Sequence, residues 1–342
     1  MKISVAMATY NGAAYIEDQL RSIAAQTLTP FELVLCDDRS TDETLDIVRR
    51  MQPELAFPVR IHVNAENLHF TGNFLKAASL CAGEFVAFCD QDDLWDPAKL
   101  EKCLAAMTRE SADLLVHEGR VIDANGVKTM TRLPDLSKPK VLLDVPPFGQ
   151  VSKGFAMVVR SQVIAEFLQG WDWAEYSAFR KRFGPPLGHD QLLYAWCVGR
   201  HRICLLQEEL VLYRVHDKNV TASESMTLPA IARVRAYFRG LASEEAQYRL
   251  PSEKWLAEVQ FLESYLSRLE EPPLGVVLLK EWLARNSEIW AERAGVYRLH
   301  AGRAQRLHHL LRMVGRGAYL SHKSPRLGVR ALLKDFAVST LG

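Results

Sequence analysis

Apolar and polar positions over the first hundred residues alternate between short apolar runs and longer stretches of helical period. Ile3 to Ala8, Glu32 to Cys36, Val59 to Val63 and Phe85 to Cys89 read as strands. Runs this short and this apolar fit strands covered on both faces. Between them, Tyr15, Leu20 and Ile23 mark one helix, and Phe70 to Cys81 another, stopped by Ala82-Gly83. Ser40-Thr41-Asp42-Glu43 has the form of a capping box and predicts a helix through Val48. Repeated β-α units predict an α/β fold with a mostly parallel sheet flanked by helices.

The middle of the chain is less regular. Pro134 to Pro147 reads as a loop, Gly154 to Val159 as a strand and Leu192 to Val198 as a buried helix. Arg202 to Leu206 and Leu210 to Arg214 read as two further strands. Met226-Thr227-Leu228-Pro229 predicts a boundary between domain 1–225 and a helical C-terminal region 226–342. Past Pro251, Trp255, Val259, Leu262, Leu266 and Leu269 recur at helical spacing, as a core stripe does.

Composition narrows the class. Hydrophobic residues make up 48% of the 342 and charged ones 24%, which predicts a folded, soluble protein. The six cysteines form no CxxC pair and no zinc spacing, so they read as reduced packing residues. No secretory leader and no run of ~18 apolar residues is visible, so the expectation is a cytoplasmic protein. The net charge of +1 conceals an asymmetry: residues 293–342 hold ten Lys/Arg and one acid, Asp335.

Candidate chemistry lies at the strand ends, where open parallel sheets bind their ligands. Thr9-Tyr10-Asn11, Asp37-Asp38 and Asp90-Gln91-Asp92-Asp93 all fall there. Three carboxylates so close repel one another unless a cation lies among them. A divalent, oxygen-loving ion, Mg²⁺ or Mn²⁺, suits such a cluster and carries a diphosphate on its open positions. The plainer reading is a solvated acidic turn ahead of the helix that Asp96-Pro97 opens.

Several motifs in order resemble the family 2 glycosyltransferases. Val5-Ala6-Met7-Ala8-Thr9-Tyr10-Asn11-Gly12, Gln19 to Ile23 and Gln26-Thr27 are similar to that family's opening, and Asp37 to Thr44 to its second signature. Asn67, Gly72-Asn73-Phe74, Gly83-Glu84 and Asp90 to Trp95 resemble the third. His189-Asp190-Gln191 and Tyr213 to Asn219 resemble the catalytic and closing motifs. The match covers roughly residues 1–222 and is weakest between 110 and 150. The acidic motif followed by Trp, with Tyr-Arg-x-His later, is similar to bacterial rhamnosyltransferases of O-antigen and capsule synthesis.

The resemblance implies a GT-A (Rossmann-like) fold and an inverting displacement. The donor would be a nucleotide sugar, dTDP-L-rhamnose or a UDP-hexose, and the acceptor a glycan, one carried on lipid included. Thr9, Asn11, Asp38, Asn73 and Asp90 would hold the nucleotide. Asn11-Gly12 is equally a turn and helix cap, and Asp38 equally a turn former. Asp92 would bind the metal, Asp93 would be a second ligand or an outer partner, His216 a metal or diphosphate contact or else structural, and Asn219 would brace the loop. Asp190 would be the general base, or else a structural acid in a helix's first turn. His189 would pack or hydrogen-bond, or else do proton chemistry, Trp95 would pack under the metal loop or line the sugar pocket, and Arg214 and Lys153 would meet phosphate or lie solvated. The alternatives are a non-catalytic nucleotide-sugar-binding or scaffold protein, and a sugar-1-phosphate nucleotidyltransferase. The latter's glycine-rich, basic N-terminal loop is absent.

Near the C-terminus, Ala304, Leu307, Leu311 and Val314 share one helical face, with Arg298, Arg306, Arg312 and Arg316 on the other. A basic amphipathic helix suits an anionic membrane surface, and equally a helix packed on its own domain. Aromatic interleaving for nucleic acid is missing, so no nucleic-acid partner is expected.

Overall fold

The computed structural model describes residues 1–137, 151–216, 244–298 and 301–319, with Leu327 and some positions between 331 and 339. Asp217, Lys218, Asn219 and the expected boundary at Met226 to Pro229 lie outside the described residues.

The N-terminal half repeats strand and helix: β1 (Ile3–Thr9), α1 (Ile16–Ala24), β2 (Glu32–Asp37), α2 (Thr44–Met51), β3 (Val59–Val63), α3 (His69–Ser79) and β4 (Phe85–Asp90). There follow β5 (Leu94–Trp95), α4 (Lys99–Arg109), β6 (Leu114–Ile122), β7 (Lys128–Arg132), β8 (Met157–Arg160), α5 (Ser161–Gln169), α6 (Trp173–Phe183), α7 (His189–Cys197) and β9 (Ile203–Arg214). Nine strands form one sheet in the order β3-β2-β1-β4-β8-β6-β9-β5, with β7 on β6. β1 pairs in parallel with β2 and β4, β2 with β3, and β6 with β9. β8 is antiparallel to both β4 and β6, so β6 and β9 run the same way as β4. Six parallel strands therefore end along one edge, at Thr9, Asp37, Val63, Asp90, Ile122 and Arg214.

The central strands are apolar because both faces are covered. Val5, Met7, Leu33, Leu35, Phe85 and Phe88 are buried, and α1 and α3 lay Ile16, Leu20, Phe74 and Leu75 against the sheet. Each such side chain contributes ~1.5–3 kcal/mol on full burial.

Four sequence expectations need correction. Ser40 does not cap α2; its hydroxyl donates to Asp37 Oδ2, and Asp42 Oδ1 accepts from Thr44 N–H instead. Gly154–Ala156 is a 3₁₀ turn, and the strand begins at Met157. The two strands expected between 202 and 214 are one, β9. Its polar Gln207-Glu208-Glu209 marks a register shift against His117 to Gly119, a bulge rather than a break. The helix α8 (Glu244–Ser267) starts before Pro251 and carries it inside.

By compactness, residues 1–219 and 265–278 form one unit, and residues 220–264 and 279–342 a second. In the first unit, Tyr265 donates from its hydroxyl to Phe167 O, and Arg268 pairs with Glu175. The second unit includes most of α9 (Leu274–Val296) and all of α10 (Arg303–Gly315). Ile289, Val296, Leu310, Met313 and Tyr319 form its core cluster. Among the described residues no helix is long and apolar enough to cross a membrane.

Candidate active site

Side chains at the carboxyl edge of the sheet are tied across neighbouring strand ends. Thr9 Oγ1 donates to Asp37 Oδ2 at 2.8 Å, joining β1 to β2. Asn11 takes a left-handed φ of 48°. Its backbone N–H donates to Ser40 Oγ at 2.9 Å, and its Oδ1 accepts from Thr41 N–H at 2.8 Å. Arg39 and His69 are also left-handed, at 69° and 54°. Strained non-glycine backbone gathered at three neighbouring strand-to-helix turns is a feature of functional sites.

Gln91 contributes what the sequence reading missed. Its amide accepts from Tyr10 N–H at 2.9 Å and donates to Tyr10 O at 3.0 Å, strapping the ends of β1 and β4 together. Gly12 lies against this strap, and a Cβ there would collide with the Gln91 side chain.

The second wall forms around Asp38. Its Oδ1 accepts from Asn64 Nδ2 at 2.8 Å and from Leu68 N–H at 2.6 Å. Burial raises the Asp38 carboxyl above the usual range, partly offset by those bonds. Asn73 is buried behind it; Nδ2 donates to Cys36 O at 2.9 Å and Oδ1 accepts from Asn64. In this geometry Asn73 acts through Asn64 and Asp38, as scaffold. Asn64 and Tyr176 went unnoticed in the sequence reading. The Tyr176 hydroxyl accepts from Gly72 N–H at 2.9 Å and donates to Leu68 O at 2.5 Å, fixing the start of α3. Tyr176 is far from α3 in sequence, and no local pattern links them.

The acidic motif splits three ways. Asp90 sits half-buried at the end of β4. Desolvation, then the charges of Asp92 and Asp190, push its carboxyl up to about 8. His189 packs on Phe88 of β4, which brings the first turn of α7, with Asp190, to the strand that ends at Asp90, a hundred residues away in sequence. Asp92 Oδ2 lies 2.9 Å from His216 Nε2. The imidazole in turn stacks on Tyr15, with ring centroids 4.6 Å apart. Asp93 turns inward and is fully buried. Its Oδ1 accepts from Arg214 N–H at 3.0 Å, and Oδ2 has no hydrogen-bond partner among the described residues. Burial first, then Asp92 and Asp90, raise it well above an ordinary carboxyl. Arg214 donates through Nε to Asp92 O at 3.0 Å and is buried, so it braces the loop from behind.

Asp190 stands in the first turn of α7, its Oδ1 accepting from Gln191 N–H at 2.8 Å. His189 points the other way, stacked on Phe74 at 4.1 Å and packed on Phe88 at 4.8 Å. Burial pulls its pKa down to about 4, so it is a neutral packing residue. Trp95 is buried beneath the motif, with Lys99 Nζ 3.8 Å over its ring. Lys153 lies at the start of the Gly154–Ala156 turn, partly exposed.

Among the described residues no three His, Cys, Asp or Glu side chains already form a closed metal site. The donors nevertheless suit a hard divalent ion. Repelling carboxylates lie beside one imidazole, and one buried carboxylate oxygen lacks a partner among the described residues. A separate groove of ≈ 340 Å³ beside Ile203 to Leu206 lies at the opening end of β9, away from these carboxylates.

A mostly parallel sheet of this kind places its ligand crevice at the carboxyl ends of the strands, where these carboxylates gather. Residues 4–161 match the glycosyl transferase family 2 model, which makes that segment a domain of this family. It is 34% identical over 227 residues to an uncharacterized glycosyltransferase of Nostoc sp., alr2836, covering 64% of this chain and 66% of that one. It is 27% identical over 232 residues to the dTDP-rhamnosyl transferase RfbG of Shigella flexneri, covering 62% and 72%. The chain thus spans a little under two thirds of the first relative's length. Its fold resembles that of Staphylococcus aureus TarS 1-349 in complex with UDP-GlcNAc. The TM-score is 0.51 at 19% identity, over 92% of this chain and 89% of that one. The architecture is therefore GT-A.

Proposed function

We propose that the protein transfers a sugar from a nucleotide-sugar donor onto a glycan acceptor with inversion, in bacterial surface-polysaccharide synthesis. The observation that supports this is the placement of the α7 start, with Asp190, against β4, whose end carries Asp90 and leads to the Asp92–His216 pair. Asp190 takes the proton from the acceptor hydroxyl as that oxygen attacks the anomeric carbon and the bond to the nucleoside diphosphate breaks. Thr9, Asn11, Asp38 and Asp90 surround the nucleoside, with Asn73 behind them. Asp92 and His216, with Asp90 beside them, would hold Mg²⁺ or Mn²⁺, and Asp93 supports from within. The ion would neutralise the departing diphosphate. The name of RfbG favours a dTDP-rhamnose donor, and the complex of TarS favours a UDP-sugar. The basic C-terminal tail favours an acceptor on lipid at the inner face of the cell membrane.

The test is a panel of UDP-, dTDP- and GDP-sugars incubated with protein, with Mn²⁺ or with EDTA, reading released nucleoside diphosphate. One donor is expected to be consumed in a metal-dependent way. Asp190→Asn should keep donor affinity and lose on the order of 10²–10⁴-fold in turnover. Full turnover in Asp190→Asn, or no nucleotide binding in titration calorimetry, would overturn the reading.

A further inference from the structure

The apolar stripe of α10 faces solvent. Leu307, Leu311 and Val314 are 37%, 60% and 47% exposed, and Ala304 continues the line. The helix is anchored instead by Leu310 and Met313, which are buried in the core of the second unit. At 100° per residue the exposed stripe is bordered by Arg303 on one side and by His308 and Arg312 on the other. Arg303 is exposed; Arg312 pairs with Glu292 at 2.9 Å and Arg316 with Glu288 at 3.0 Å, both acids belonging to α9.

Glu292 and Glu288 offset Arg312 and Arg316, but the tail's own single acid adds no negative charge at the surface. Asp335 is fully buried and accepts from Tyr297 Oη at 2.6 Å, Tyr319 Oη at 2.7 Å and Arg293 at 3.2 Å. Residues 293–342 otherwise contribute ten Lys/Arg and no acid. An exposed leucine stripe with arginines at its margins has the form of a helix that lies in the headgroup region of an anionic bilayer.

We propose that α10 docks the protein onto an anionic lipid surface, inserting Leu307, Leu311 and Val314 with Arg303 and Arg312 at the headgroups. This deepens the membrane part of the functional reading and is independent of the transfer chemistry. A second copy of the chain could also cover a leucine stripe, but the basic margins would then repel their own kind.

The test is flotation of the full chain with phosphatidylcholine vesicles, with and without phosphatidylglycerol. Binding is expected only with phosphatidylglycerol, weakened about fivefold in Arg303→Gln and abolished in Leu311→Asp. Both variants should keep the parent melting temperature and donor turnover in solution. Three results would each overturn the proposal. These are no binding to phosphatidylglycerol vesicles, binding indifferent to both substitutions, and a Leu311-dependent dimer in light scattering without lipid binding.

Discussion

Lys99 offers the sharpest test of how the acidic loop is supported. It opens α4 and is fully buried. Its ammonium donates to Phe155 O at 2.8 Å and lies 3.8 Å over the Trp95 ring. Burial pulls its pKa from the ordinary 10.5 to about 8, although Cys103, Cys89, Asp93 and Asp90 act to hold it up. Lys99→Met keeps most of the stem and deletes the charge. Relief from desolvation then favours the variant by roughly 3 kcal/mol at neutral pH. Against this stand an orphaned Phe155 carbonyl, at ~1–3 kcal/mol, and a lost cation–π contact of about 2 kcal/mol. These oppose and nearly cancel at pH 7, so a single melting curve decides nothing.

The pH dependence does decide. The folded state releases the Lys99 proton near pH 8, and the unfolded chain holds it until about 10.5. Between those limits the folded protein binds fewer protons, so the parent gains stability as pH rises. Relative to Lys99→Met it should gain up to ~3 kcal/mol across that window. Urea unfolding of both proteins at pH 7.5 and pH 10 measures the difference; the upward shift of Asp90 and Asp93 in the variant acts in the same direction, and titrations remote from Lys99 are common to both. Parallel stabilities at the two pH values would refute the reasoning. In activity, Lys99 holds the carboxyls of Asp90 and Asp93 down, so its removal should shift the acidic limb of the rate profile to higher pH.

Three further predictions bear on other parts of the molecule. Tyr176→Phe strips a partner from Gly72 N–H and Leu68 O. It should cost ~1–3 kcal/mol in urea unfolding and raise the donor KM through the Asp38 loop, with kcat little changed. Glu258 is buried, with Lys254 4.0 Å away and one carboxylate oxygen unpartnered among the described residues, and burial raises it to about 7 from an ordinary 4.5. The folded state therefore binds more protons between those values, and stability falls as pH rises through them. Glu258→Gln should accordingly melt higher than the parent at pH 8, by on the order of 1–3 kcal/mol, with the gap closing toward pH 4.5. Asp335→Ala leaves Arg293, Tyr297 and Tyr319 without their shared acceptor and should cost ~3–5 kcal/mol, read by thermal melting.

The parallel half of the fold was legible because its strands are continuous apolar runs and its helices carry clear stripes. β6 was not recognised, although Leu114, Leu115 and Val116 are fully buried in it. Its later residues His117-Glu118-Gly119-Arg120 break the apolar run, because the bulge opposite them and the Arg120–Glu209 pair satisfy polar groups there. The gathering of candidate residues at the strand ends was legible, since Thr9, Asp37 and Asp90 close three parallel strands at one edge. The roles within it were less so. Whether a carboxylate faces in or out depends on a turn of a few residues, and Asn73, Asn64 and Tyr176 are joined only by the folded chain. The tail's helical stripe was visible too, but its exposure was not, because Leu310 and Met313 could have been read as a margin.

The acidic motif shows why those inner roles matter to the chemistry. In sequence, Asp90, Asp92 and Asp93 are interchangeable sources of negative charge. In the fold each meets a different counterpart. Asp93 is sealed under the loop, and the Arg214 backbone and the nearby Lys99 balance it. Asp92 faces an imidazole carried in from the end of β9. Asp90 feels its burial first, then the charges of Asp92 and Asp190, and among the described residues Lys99 opposes them, so its carboxyl rises. A rigid loop that leaves one carboxylate under-compensated favours whatever positive charge arrives with the substrate. Gln91 keeps that loop rigid by holding Tyr10, so Gln91→Ala should loosen the site without touching a charge. The expected signature is weaker donor binding at unchanged acceptor affinity; equal weakening of both would show that the strap is merely structural.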